Sequence, residues 1–141
     1  MSIDTGHWAL SCPLSSLQDA WGFVYIITNK LNNKKYIGKK QLKFKKTRKP
    51  LKGKVNKRRS MIESDWKEYT GSSTELNADI EKLGKENFTF EIIKFCSSKS
   101  TLSYFEIVEQ INREALLRSD YYNGIINIRC SRQCLKTLQI S

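Results

Sequence analysis

The stretch Gly22–Lys40, GFVYIITNKLNNKKYIGKK, constrains this chain more than any other. Phe23 to Thr28 is aromatic and β-branched, which suits a pleated, partly buried strand. Asn29, Asn32 and Asn33 supply turn chemistry, and Lys34 to Gly38 reads as a second short strand. The unit is therefore a β-hairpin. A loop over Asn29–Asn32 sets Thr28 against Asn33 and Tyr25 against Tyr36. Two phenols would then stand on one face with Cβ atoms roughly 4.5–5.5 Å apart, and Gly38 would leave open space beside them.

Charge is distributed as unevenly as structure. From Lys39 to Arg59 there are 12 Lys or Arg in 21 residues and no Asp or Glu, which accounts for the whole net charge of +11. Only Leu42, Phe44, Leu51 and Val55 are apolar there, so the segment reads as a solvent-exposed loop or flap outside the core. A polyanion is its natural partner. Lys40, Lys43, Lys45, Lys46, Arg48, Lys52, Lys54, Lys57, Arg58 and Arg59 are the candidate phosphate contacts.

At 141 residues the chain suits one domain. Residues 1–20 read as an N-terminal arm, with Leu14, Leu17 and Trp21 at helical spacing, and 131–141 as a tail. Ser72 and Glu75 have capping-box spacing, and Leu76, Ile80 and Leu83 give a helix its buried stripe before Gly84 stops it. Phe88 to Phe95 is the third strand. A second long helix runs from Leu102 to about Leu117 with Leu102, Phe105, Val108, Ile111 or Asn112, and Ala115 inward. Ile125 to Ile128 is a short closing segment. The expected fold is α+β, a small three-stranded, mainly antiparallel sheet flanked by helices. No export signal or membrane span is legible, so Cys12, Cys96, Cys130 and Cys134 read as free thiols of a cytoplasmic protein.

Val24-Tyr25 followed by Tyr36-Ile37-Gly38 resembles the paired motif of the GIY-YIG nucleases, with Phe23 where the family usually has glycine. That family includes phage homing endonucleases, some restriction enzymes and the incision half of a bacterial excision-repair nuclease. The resemblance covers about residues 22–130 and looks closest to the homing-endonuclease-like members, whose home would be a host-cell cytosol if phage-encoded. It implies a metal-binding glutamate on the helix after the third strand. Glu106 fits, with Glu109 competing. It implies a closing asparagine, Asn123 after Tyr122, with Asn127 as second choice. Lys39 stands where the excision-repair nuclease has a lysine, and Tyr69 where relatives carry histidine or tyrosine. The family arginine falls in the basic insert, where Lys46, Arg48, Arg58 and Arg59 compete.

The resemblance implies a DNA endonuclease dependent on Mg²⁺ or Mn²⁺ at Glu106, with double-stranded DNA favoured. Phosphodiester hydrolysis needs a deprotonated water, stabilisation of charge at phosphorus and help for the leaving oxygen. Tyr25 serves as base only if Lys39 and the insert bring its pKa below about 10. Tyr36 would position it, and Asn123 would steady the glutamate region. The alternative is a module on the same fold that binds nucleic acid without cleaving, a reading Phe23 encourages; RNA is a third possibility. A zinc site of His7, Cys12, Cys130 and Cys134 is a rival if the termini meet.

Overall fold

β2 (Gly22–Asn29) and β3 (Lys35–Gln41) form the antiparallel hairpin expected from their sequence. A computed structural model describes residues 4–56, 58–126 and 131–138; at 46–48, 58 and 59 only the backbone is described. The turn is two residues longer than expected, with Thr28 opposite Lys35 and Ile27 opposite Tyr36. Asn29 accounts for the extra length. Its N–H donates to Lys34 O at 2.8 Å, its carbonyl accepts from the Asn33 N–H at 2.7 Å, and its Oδ1 accepts from the Leu31 N–H at 3.0 Å. Asn33 takes φ 60°, which asparagine tolerates better than most residues. Because side chains alternate with period two, a two-residue change leaves each on its face. Tyr25 and Tyr36 still share a face, but diagonally, and Tyr25 lies opposite Gly38.

The sheet has four strands rather than three, in the order β1-β6-β2-β3. β1 (Ala9–Leu10) runs parallel to β6 (Phe88–Cys96), and the other pairs are antiparallel. The extra strand comes from the segment expected to be an arm, which is instead part of the fold. Trp8, just before it, is buried with its ring about 5 Å from those of Phe23 (5.1 Å) and Tyr25 (5.0 Å). The expected leading helix is only a 3-10 turn at Leu14–Leu17. β2 lies inside the sheet and is covered on both faces, so its apolar run is unbroken.

α1 (Thr74–Leu83) covers the tyrosine face through the fully buried Leu76. Its cap is Ser73, not Ser72: the Ser73 Oγ accepts the Leu76 N–H at 3.2 Å. Gly84 ends it as expected. α2 (Lys99–Asn112) covers the opposite face, with Leu102 against Val24, Ile26, Ile37 and Cys96. Each such buried aliphatic side chain contributes about 1.5–3 kcal/mol. α2 starts before Leu102 because Ser98 and Thr101 form a reciprocal capping box. Its inner face also differs from expectation: Ile111 is 60% exposed, while Gln110 is 5% exposed.

The basic insert is a ribbon rather than a loop. β4 (Lys43–Arg48) and β5 (Arg58–Glu63) pair antiparallel as a separate two-stranded sheet, closed at its base by Ser64 N–H to Leu42 O at 2.8 Å. Leu42 is buried in the main core, whereas Phe44, Leu51, Val55 and Met61 are exposed. Among the described residues no helix is long and apolar enough to cross a membrane.

Candidate active site

β3 is an edge strand of the main sheet, and a cavity of about 510 Å³ lies beside it. Its lining comes from both faces. Tyr25, Tyr36, Tyr69 and Ser72 come from the α1 side, and Lys39, Glu106 and Gln110 from the α2 side. Asn123 comes from the segment running beside β3. Tyr25, Tyr36, Lys39, Tyr69, Glu106 and Asn123, far apart in the chain, thus meet in one cavity.

The tyrosines pack together, with the Tyr25 ring 6.2 Å from Tyr36 in a tilted arrangement and 6.1 Å from Tyr69 in a T-shaped one. Two glycines make room for them. A Cβ at Gly38 would lie 2.4 Å from the Tyr25 hydroxyl, so the space expected there is filled by that phenol. A Cβ at Gly71 would lie 3.2 Å from the same hydroxyl, and Gly71 also needs its φ of +86°. Tyr36 Oη is 3.0 Å from Ser72 Oγ.

This packing overturns one expectation. Tyr25 is 1% exposed, and burial, with the neighbouring phenols and Glu106, raises its pKa well above the usual value. With the phenolate so disfavoured by burial, the proton stays on Tyr25. Positive charge does not lower its pKa. Burial also raises the Tyr36 and Tyr69 pKa values, and the polar groups of Ser72 offset part of each shift.

On the other face, the Lys39 ammonium donates to Ser103 Oγ at 2.8 Å and acts electrostatically on Glu106. Burial nevertheless outweighs that attraction and raises the Glu106 pKa. Glu109 is turned to Arg113, 2.9 Å away, and does not line the cavity. A carboxylate drawn partly out of water among hydroxyl and amide oxygens suits a hard divalent cation, which takes one or two protein carboxylates. Among the described residues no group of three His, Cys, Asp or Glu side chains forms a metal cage. Of the zinc rival, His7 Nε2 hydrogen-bonds Tyr69 O at 2.9 Å and its ring stacks on Phe90, while Cys130 lies outside the described residues.

The Asn123 side chain, expected to steady the glutamate region, clamps the strand edge. Its Nδ2 donates to Ile37 O at 2.8 Å and its Oδ1 accepts the Ile37 N–H at 3.0 Å, as a neighbouring strand would. Its competitor Asn127 lies outside the described residues. Sequence reasoning missed Gln110, hidden in an apolar stripe. It also missed the Asn29–Tyr122–Asp79 link, in which Tyr122 accepts from Asn29 Nδ2 (3.2 Å) and donates to Asp79 Oδ2 (2.7 Å). Burial first, then Asp79, pushes the Tyr122 pKa up to about 12.

Of the candidate phosphate contacts, Lys43, Lys45, Lys52 and Lys54 are exposed. Lys40 is not free: it pairs with Asp65 at 2.7 Å and lies 4.0 Å over the Tyr69 ring, a structural cation. Lys57 lies outside the described residues, as do the side chains of Lys46, Arg48, Arg58 and Arg59. Among the described residues no arginine lines the cavity. Phe23, at the family's glycine position, is fully buried against Trp8, Trp66 and Phe95, away from the cavity lining.

A family model described as "Putative endonuclease segE, GIY-YIG domain" matches residues 8–126, most of the chain. No curated protein and no solved structure matches it.

Proposed function

The chain belongs to the GIY-YIG nuclease family, and from that premise we propose that it is a divalent-metal-dependent endonuclease acting on double-stranded DNA, homing-endonuclease-like in kind. The observation that carries this reading is the convergence of the tyrosines, Lys39 and Glu106 on one cavity at the β3 edge. Glu106 would hold Mg²⁺ or Mn²⁺, which when bound supplies Lewis-acid stabilisation of the charge developing at phosphorus. Lys39 adds a fixed positive charge beside it. Tyr36, linked to Ser72 and less deeply buried than Tyr25, is the better placed phenol to act on the attacking water: it would first lose its own proton to solvent and then, as phenolate, accept one from the water. Tyr25 then positions: its buried ring, packed against Tyr36 and Tyr69, keeps the cluster in register. Asn123 holds the strand that carries Tyr36 and Lys39.

The exposed ribbon β4–β5 supplies the counter-charge for the phosphate backbone through Lys43, Lys45, Lys52 and Lys54. A two-stranded ribbon is also narrow enough to enter a major groove. Binding without cleavage is the rival reading, and the burial of Tyr25 speaks for it. Incubation with supercoiled plasmid separates them. Nuclease action converts plasmid to nicked or linear form with Mg²⁺ and not with EDTA; unchanged plasmid in both, with a retarded band, would support the binding module.

A further inference from the structure

Gln110 is the feature that the proposed chemistry leaves unexplained. It is 5% exposed on α2, lines the same cavity as Glu106, and follows it by four residues. Residues at that spacing lie one above the other on a helix face. Its Nε2 donates to Ile37 O at 3.4 Å, but its Oε1 is buried with no hydrogen-bond partner. Leaving such an acceptor unpaired is unfavourable, because it gives up its hydrogen bond to water and gains none. The amide cannot simply turn over. Ile37 O already accepts from Asn123 Nδ2 at 2.8 Å, and a reversed Gln110 would set its own oxygen against that carbonyl. The neighbouring Ile111, which would bury without cost, faces solvent instead.

We infer that Gln110 supplies, through its side-chain amide oxygen, the second protein oxygen of the divalent-cation site headed by Glu106. The inference rests on the metal-dependent reading above and adds a residue to it. An amide oxygen is a hard, neutral ligand of the kind Mg²⁺ and Mn²⁺ accept beside a carboxylate and water. It stabilises the cation without adding a second negative charge next to the phosphate. A cation there also satisfies the one atom of Gln110 that the fold leaves unpaired.

The test is direct Mn²⁺ binding to the full chain without DNA, followed by loss of the free-Mn²⁺ electron paramagnetic resonance signal. Wild type should bind, and Glu106→Gln should abolish binding. Gln110→Met, which keeps length and removes the oxygen, should weaken it by about 10-fold or more, in the range that lost ligand-shell contacts cost. Gln110→Glu, which restores an oxygen and adds charge, should bind more tightly than wild type. Thermal melts report folding separately. A Gln110→Met protein with wild-type Mn²⁺ affinity overturns the assignment and leaves the metal-dependent reading standing. If Gln110→Met does not fold, Gln110→Glu decides, and affinity equal to or below wild type overturns the assignment. Wild type that binds no Mn²⁺ overturns the assignment, and if it also cuts DNA in EDTA the metal-dependent reading falls with it.

Discussion

Gly38 and Tyr25 are fitted to each other across the hairpin: a Cβ on residue 38 would lie 2.4 Å from the Tyr25 hydroxyl and 2.6 Å from Cζ. The glycine of the second motif half is thus the floor on which the first-half tyrosine rests. Gly38→Ala should push the phenol out of place. It should cost about 1–3 kcal/mol of stability through overpacking and lower plasmid cleavage at least 10-fold. Urea denaturation and a nicking assay check it; a variant as stable and active as wild type contradicts the packing described.

The Asn123 side chain stands in for a missing strand at Ile37. Asn123→Ala leaves the Ile37 N–H without its partner, at a cost of about 1–3 kcal/mol. Amide hydrogen exchange at Ile37 should quicken while that of the interior strand β2 changes less. Loss of activity with unchanged stability and exchange would show that Asn123 acts on substrate and not on the strand.

His7 makes folding sensitive to weak acid. Burial, aided by Lys85, lowers its pKa from 6.5 to about 4, so the fold favours the neutral ring. Between those values the unfolded chain binds the proton and the native chain does not. The contribution of His7 is therefore complete above pH 6.5, falls as pH drops toward 4, and falls no further below it. For a partly exposed ring this amounts to about 1–2 kcal/mol. His7→Gln keeps a donor for Tyr69 O and removes the titration. Its stability should change less between pH 7 and pH 4 than that of wild type, and parallel pH curves would contradict the assignment.

The ribbon should carry the salt dependence of DNA binding. If six of its cations meet phosphates, log K against log salt should have a slope of roughly −5. The backbone closes at Leu42 and Ser64, so residues 43–63 can be replaced by a short Gly-Ser link. The shortened protein should fold, and its slope should fall to about −1, since the rest of the chain is near neutral. A slope that stays steep places the phosphate-binding surface elsewhere.

How far the sequence foretold this arrangement differs from residue to residue. The hairpin faces were legible because alternation survives a two-residue error in the turn; the error itself arose because Asn29, read as loop, ends the strand. Trp8 and β1 were hidden because a two-residue strand has no periodicity. The ribbon was read as loop because its charge masks its strand pattern, and isolated ribbons pack little against the core. Glu106 and Lys39 followed from order and resemblance. The burial of Tyr25 and the orphaned oxygen of Gln110 depend on how three layers close over the sheet edge, which no local pattern records.

The central claim, that the β3-edge cavity is a metal-dependent DNA-cleaving site, is tested most directly by Glu106→Gln, with cleavage rate and DNA affinity measured on the same preparation. Removing the carboxylate charge proposed to hold the metal while leaving the ribbon untouched should lower single-turnover cleavage in Mg²⁺ by about 10³-fold or more, with affinity within about twofold of wild type. Cleavage at near wild-type rate by Glu106→Gln, or equal loss of affinity and rate, would contradict it.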